Sequence, residues 1–170
     1  MKRALWLCLA FLLLTLIFAY GLLLYPHDAR LPSGGSLEAP SRQHWLGTDN
    51  LGIDIFAQLS SGFFHSLSIG FSAAAVAFLL GGVLGVAAGY AGGWTDMAVE
   101  FLINIFLSVP QLPIMIVIGA FWGQSQLNII LIIAAFSWAP IAKQVRSRVM
   151  SIRKSEYLIL AKSYGGSLWY

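Results

Sequence analysis

Long apolar runs alternate with polar segments along this chain, and the pattern predicts membrane-spanning helices. A helix rises about 1.5 Å per residue, so about 20 apolar residues cross a hydrocarbon core of about 30 Å. In the third run, Pro110 and Pro113 remove backbone donors and predict a kink or a break. The expected fold is therefore an all-α, polytopic membrane helix bundle. Its four predicted spans cover residues 4–24, 66–90, 97–122 and 127–142.

The composition supports lipid as the solvent for most of the surface. Hydrophobic residues make up 58% of the chain and charged residues 10%, whereas a soluble domain carries roughly 25% charged residues. The first run would also fit a signal peptide. It is long for one, however, and no convincing small-x-small cleavage site follows Tyr20. We therefore expect an uncleaved first helix.

The basic residues predict the orientation of the spans. Lys2 and Arg3 precede the first run, and a second basic cluster occupies residues 143–154. The segment 26–65 between the first two spans is poor in lysine and arginine, as is typical of loops outside the cytoplasm. Four crossings place both basic clusters on the cytoplasmic side. The predicted organisation is thus a helix over 1–25, an extracytoplasmic loop over 26–65, and three further helices with a cytoplasmic segment over 66–170.

Two features within the spans indicate helix packing or function. Gly81, Gly85 and Gly89 recur every four residues, which places them on one helix face and allows another helix backbone to approach closely. Glu100 lies one turn from Asn104 near the start of the third span. An intramembrane glutamate is a functional candidate, but a position near the interface equally favours a solvated, snorkelling side chain.

The sequence predicts no catalytic residue, no metal site and no cofactor. His27, His44 and His65 are spread through one loop without the spacing of zinc ligands, and we expect solvated or turn-capping side chains. Cys8 has no second cysteine with which to form a disulfide. No glycine-rich phosphate loop or nucleophile–base pair is evident. Only Glu100 approaches what a membrane-embedded enzyme would need, and the basic cluster indicates the cytoplasmic side rather than nucleic-acid binding.

A first motif, at residues 44–54, precedes the second span and reads His-Trp-Leu-Gly-Thr-Asp-Asn-Leu-Gly-Ile-Asp. It resembles the His-x-Leu-Gly-Thr-Asp-x-x-Gly-Arg-Asp signature of permease subunits from dipeptide, oligopeptide and nickel ABC importers. Gly47 and Gly52 are suited to turns, and Thr48 and Asp49 to capping a following helix. Ile53 stands where the family usually has arginine. The matching residues are His44, Leu46, Gly47, Thr48, Asp49, Gly52 and Asp54.

A second motif, at residues 156–165, is similar to the start of the cytoplasmic coupling loop of such permeases. The family core is Glu-Ala-Ala, three residues, then Gly, and here Ile159 and Leu160 replace the glutamate and the first alanine. The resemblance implies a short helix that fits a groove on the ATPase subunit. The residues assigned to it are Glu156, Tyr157, Ala161 and Gly165.

The resemblance implies a non-enzymatic permease subunit in a bacterial or archaeal cell membrane. Its implied partners are a second permease subunit, cytoplasmic ATPase subunits, an extracytoplasmic substrate-binding protein and the lipid bilayer, and the implied cargo is peptides or nickel. The resemblance implies six spans, of which four are present here, so we expect a permease truncated within its coupling loop. The alternatives are a small non-ABC four-helix membrane protein, such as an assembly factor or channel subunit, and a non-functional permease fragment.

Overall fold

The regular structure consists of helices, as predicted. The computed structural model describes residues 2–123 and 125–155. Within these ranges the chain contains no strand, only an isolated bridge between Thr48 and Asp54. The all-α expectation is therefore confirmed. The helices are α1 (Lys2–Leu23), α2 (Ile55–Ala91), α3 (Gly93–Ser108), α4 (Gln111–Trp122) and α5 (Gln126–Arg153).

The chain divides into two compact units, Met1–Ser68 and Ile69–Tyr170, and α2 continues from the first into the second. In the first unit, most leucine and aromatic side chains of α1 are exposed, as expected of a helix in lipid. The ring of Phe18 in α1 lies close to those of Phe56 and Phe63 in α2, with centroids 6.4 and 4.7 Å apart. These aromatic contacts join α1 to the first turns of α2.

Helix α2 begins at Ile55, well before the predicted start near residue 66. The polar side chains of Gln58, Ser60 and His65 lower the hydropathy of this stretch and obscure its helical character in the sequence. The predicted loop over 26–65 is therefore irregular only as far as Asp54. At 37 residues, α2 is roughly 55 Å long, which exceeds the thickness of the hydrocarbon core.

The second unit has a small core between α2, α3 and α5. Helix α5 continues through Pro140 and, at 28 residues, extends beyond the predicted span into the basic segment. Ser125 caps its start by accepting a hydrogen bond from the Asn128 N–H at 3.2 Å. The buried core residues are Ala88, Val99, Ile103, Trp138, Ala139 and Ala142.

The third predicted span is broken at Pro110. Helices α3 and α4 meet there at an angle of 84°. With 16 and 12 residues, they are roughly 24 and 18 Å long, so neither alone crosses a core of about 30 Å. If each helix is tilted from the membrane normal by half of the 84° bend, the pair extends roughly 31 Å along that normal and does cross. Within the described residues, three helices are thus long and apolar enough to span a membrane, and the bent pair, taken as one span, makes four.

Candidate functional site

The signature loop, residues 44–54, contains two glycines with left-handed backbone conformation. Gly47 and Gly52 have φ angles of +78° and +76°, a region that other residues rarely adopt. A Cβ atom on Gly47 would lie 2.3 Å from the Glu38 carbonyl oxygen, and one on Gly52 would lie 2.4 Å from that of Gly34. Both positions therefore require glycine for backbone conformation and for space.

Asp49 organises the turn between these glycines. One carboxylate oxygen accepts hydrogen bonds from the N–H groups of Leu51 and Ile53, at 2.8 and 3.0 Å, and the other accepts one from Gln58 Nε2 at 2.7 Å. The Ile53 N–H makes the largest contribution to lowering the pKa of Asp49, followed by the Gln58 side chain. The turn and the first helical turn of α2 are thereby tied to one ionised carboxylate.

Thr48 fastens the signature to the preceding segment. Its buried hydroxyl donates to the Gly35 carbonyl at 2.6 Å and accepts from the Glu38 N–H at 2.9 Å. Leu46 is 45% exposed. Neither Thr48 nor Asp49 supplies the N-terminal cap of α2 that the sequence suggested. Thr48 instead binds the loop's own backbone, and Asp49 binds the backbone of its turn and the side chain of Gln58.

Asp54 caps α2 instead. Its side chain is fully buried, and Oδ1 accepts a hydrogen bond from the Ala57 N–H at 2.9 Å. Its other oxygen is 2.8 Å from His44 Nδ1 and accepts from the Tyr25 hydroxyl at 3.1 Å. Burial alone would raise the pKa of Asp54, but the Ala57, His44 and Tyr25 hydrogen bonds together lower it. This carboxylate thus joins the signature loop to the start of α2.

His44 is buried rather than solvated. It is 3% exposed, and its ring lies 4.7 Å from that of His27, centroid to centroid. His27 Nε2 lies 3.0 Å from the Gln43 carbonyl oxygen. Separations of 17 and 10 residues along the chain form no local motif, so sequence spacing did not predict this cluster of His27, His44 and Asp54. His65, by contrast, is an exposed residue of α2.

Gly81, Gly85 and Gly89 form a glycine strip on α2, and this strip faces the backbone of α5. A Cβ atom on Gly81 would lie 2.7 Å from the Trp138 carbonyl oxygen, and one on Gly85 would lie 2.8 Å from that of Ala142. Gly89 continues the series, with 2.9 Å to the carbonyl oxygen of Arg146. The α5 positions also recur every four residues, so the two helices meet in register. The backbone that approaches the strip belongs to this same chain.

An ion-pair cluster lies at one end of the α3–α5 contact. Arg146 binds Asp96 through two nitrogens, Nε to Oδ1 and Nη2 to Oδ2, the latter at 2.8 Å. Nη2 also donates to Glu100 Oε2 at 3.0 Å. Bidentate pairs of this kind hold their partners in one orientation. Glu100 is half-exposed, as its position suggested, but its charge is paired.

The predicted coupling residues Glu156, Tyr157, Ala161 and Gly165 lie outside the described residues. Helix α5 ends at Arg153, directly before them. The Ser155 N–H then donates to the Ile152 carbonyl at 3.0 Å, which closes the last turn. The basic helix end therefore leads straight into the segment that carries the second motif.

Comparison with known proteins places these features in a family. A family model described as the binding-protein-dependent transport system inner membrane component matches residues 81–170, more than half of the chain. That range contains the end of α2, all of α3 to α5 and the second motif. It begins at the first residue of the glycine strip.

Similar curated proteins are permeases. The dipeptide transport system permease protein DppC of Alkalihalophilus pseudofirmus is 39% identical over 129 residues, covering 76% of this chain and 42% of the relative. The glutathione transport system permease protein GsiD of Pectobacterium atrosepticum is 32% identical over 160 residues, covering 93% of this chain and 53% of the relative. The oligopeptide transport system permease protein OppC of Mycobacterium bovis is 34% identical over 165 residues, covering 94% of this chain and 56% of the relative.

The chain spans about half the length of the curated relatives it matches. The matched residues include the predicted packing strip, which begins at Gly81, and the span predicted to bend at Pro110. Together, the family match and the multi-pass helical architecture identify the class of membrane protein. The chain belongs to the family of binding-protein-dependent transport system inner membrane components.

Proposed function

We propose that this chain acts as a permease subunit of an ATP-binding-cassette importer and forms part of its substrate path. The family match over residues 81–170 carries the proposal. Peptides are the favoured cargo, because the relatives are named as dipeptide, glutathione and oligopeptide permeases. Nickel is the second candidate and rests on the signature resemblance alone. A small non-ABC membrane protein is not favoured, because it would not be expected to match this family.

The proposed partners follow from this assignment. A second permease subunit completes the path, a substrate-binding protein docks on the extracytoplasmic side, and separate cytoplasmic ATPase subunits hydrolyse ATP. The N-terminus and the basic end of α5 lie in the cytoplasm, in keeping with the clustering of lysine and arginine there. In this arrangement the chain itself performs no bond chemistry.

Two structural features give the subunit its mechanical role in this proposal. The glycine strip holds α2 and α5 close together, and the Arg146 ion pairs hold α5 against α3. Movement of the coupling segment at residues 156–165 is therefore transmitted to a group of packed helices rather than to one helix alone. Coupling between two sites needs such a shared element, whose states both sites bias.

Uptake measurements test the proposal. Cells expressing the chain with its neighbouring transporter genes should accumulate labelled dipeptide in an ATP-dependent manner, and deletion of this chain should abolish uptake. A parallel assay with labelled nickel distinguishes the two cargoes. Uptake of neither compound, in cells that contain the assembled subunits, would contradict the assignment to peptide or nickel import.

Co-purification tests the coupling segment separately. We expect Gly165→Leu to reduce recovery of the ATPase subunits with the membrane protein at least tenfold, because a bulky side chain prevents close docking. Gly70→Leu is the matched control, since a side chain there meets nothing within 4 Å. Equal recovery of ATPase with both variants would contradict the assignment of Gly165 to the docking surface.

A further inference from the structure

We infer that His27, His44 and Asp54 form a binding site for a divalent transition metal in the extracytoplasmic loop. The three residues each offer one ligand atom, and these atoms all lie within 4.8 Å of one another. Two imidazoles and one carboxylate are a ligand set suited to zinc and to neighbouring first-row metals. The site is independent of the proposed transport function, which assigns none of the three residues to a metal.

The ligand atoms must move closer together to bind one ion. Metal–ligand bonds of about 2.0–2.2 Å in a tetrahedral site place two ligand atoms about 3.3–3.6 Å apart. With an observed limit of 4.8 Å, the most distant pair must close by at most roughly 1.5 Å. His27 is the half-buried member, whereas His44 and Asp54 are buried. Rotation of the His27 side chain is thus the natural way to complete the site.

The surrounding hydrogen bonds already orient the ligand atoms. Asp54 uses Oδ1 to cap α2 at the Ala57 N–H, so Oδ2 remains to bind a metal while the cap persists. Oδ2 now shares a hydrogen bond with His44 Nδ1 at 2.8 Å, and a metal ion would replace the shared proton. Hydrogen-bonded carboxylates of this kind fix the geometry of metal sites.

A solvent-accessible cleft leads to the cluster. Its volume is about 600 Å³, and its lining includes Tyr25, His27, Gln43 and His44. The Gln43 carbonyl oxygen, 3.0 Å from His27 Nε2, and water from the cleft are available as further oxygen ligands. A catalytic or exchangeable zinc site needs three protein ligands and one open position, which this arrangement supplies.

The consequence of binding would be a cross-link between helices α1 and α2. His27 follows the end of α1, His44 belongs to the signature loop, and Asp54 directly precedes α2. One ion held by all three would join these segments within the first unit of the chain. Binding to the folded state alone stabilises a protein according to ligand concentration, so metal should raise the thermal stability of the protein.

Zinc titration of the purified full chain tests the inference. The protein is freed of its purification tag, treated with EDTA, dialysed and titrated with ZnCl₂ by isothermal calorimetry. We expect one zinc ion per chain and a rise in the unfolding temperature. His27→Ala should weaken binding at least tenfold, since loss of a single ligand removes one of the three protein bonds to the ion.

His27→Ala is the decisive variant because His27 does not cap α2 and its loss leaves the Asp54 network intact. His44→Gln provides a second test at a buried ligand. His65→Ala is the matched control, a histidine outside the cluster, and should bind zinc like the parent. Absence of saturable binding in the parent would overturn the inference. So would binding by His27→Ala and His44→Gln that equals that of the parent.

Cobalt provides a spectroscopic check of the ligands. Replacing zinc with Co²⁺ should produce visible absorption bands typical of nitrogen and oxygen coordination at low coordination number, and these bands should disappear in His27→Ala. Bands that persist in His27→Ala but disappear in His65→Ala would place the metal elsewhere and refute the assignment.

Discussion

Individual residues in the signature loop have roles that differ from what their types suggest. Asp54 is the last residue of the motif, yet it caps α2 and binds His44 and Tyr25. Asp49 was predicted to cap the following helix, yet it binds the backbone of its own turn. A buried carboxylate with several donors is stabilised in its charged form. The loop therefore depends on Asp54 remaining ionised.

The first prediction concerns Asp54→Asn. At pH 7 the variant should be less stable than the parent by about 1–3 kcal/mol, because an amide leaves one of the buried donors unpaired. The folded-state pKa of Asp54 is lowered, so its contribution is present above the ordinary aspartate pKa and is lost as the pH falls through the lower, folded value. Thermal unfolding in EDTA at pH 7 and at pH 3 measures both effects.

Asp28→Asn is the control for this prediction. Asp28 is exposed in the same loop and accepts a hydrogen bond from the Arg30 N–H at 2.8 Å. Its substitution should change the unfolding temperature little at either pH. If Asp54→Asn behaves like Asp28→Asn at pH 7, Asp54 does not hold the loop.

At the scale of elements, α5 is the helix on which the second unit is organised. It meets the glycine strip of α2 along one face and binds α3 through Arg146. Helices in lipid gain little from burying apolar surface against one another, so close packing and polar contacts must hold them together. Both kinds of contact occur on α5.

The second prediction compares Gly85→Leu with Gly82→Leu. The α5 backbone leaves no space at Gly85, where a Cβ would lie 2.8 Å from the Ala142 carbonyl oxygen, whereas one at Gly82 meets nothing within 4 Å. Gly85→Leu should therefore separate the two helices and cost about 1–3 kcal/mol or more. Thermal unfolding and the yield of monodisperse protein in detergent measure the loss. Similar behaviour of the two variants would show that α2 and α5 do not meet closely at the strip.

The third prediction concerns the Arg146 ion pairs. Arg146→Gln leaves Asp96, a partly buried carboxylate, without its bidentate partner, and should destabilise the protein by about 1–3 kcal/mol. Adding Asp96→Asn to this variant should restore part of the loss, because the pair is coupled. Arg148→Gln, an exposed position on the same helix, serves as the control. Strictly additive effects of Arg146→Gln and Asp96→Asn would argue against the ion pair.

At the scale of the whole chain, the number of crossings depends on the bent pair α3–α4. In the part of the chain that the structure describes, three helices are long and apolar enough to cross alone, and the pair adds a fourth crossing only if both halves traverse the membrane together. Four crossings return the chain to its starting side, whereas three do not. The basic residues at both ends favour four crossings, because lysine and arginine collect on the cytoplasmic side.

The fourth prediction tests this orientation by cysteine labelling. In a Cys8→Ser background, Ser36→Cys should react with a membrane-impermeant maleimide in intact cells. Ser151→Cys should react only after the cells are permeabilised. Both positions are exposed outside the apolar runs, so accessibility reports the side of the membrane. Labelling of both Ser36→Cys and Ser151→Cys in intact cells would mean that α3 and α4 do not cross as one span.

The amino-acid sequence by itself determined the membrane character, the helical class and the family resemblance. Apolar runs of sufficient length determine spanning helices because the bilayer supplies no hydrogen-bond partners for other backbone conformations. The break at Pro110 was also predictable, since proline removes a backbone donor wherever it occurs. The spacing of Gly81, Gly85 and Gly89 predicted a close helix contact in the same local way.

Only the tertiary structure decided which groups meet. It brought α5 to the glycine strip, paired Arg146 with Asp96 and Glu100, and placed His27 beside His44. These partners are far apart in the chain, and no local pattern encodes a contact between side chains that approach only after the helices and loop have packed. Helix periodicity specifies a face, whereas the partner of that face depends on the path of the whole chain.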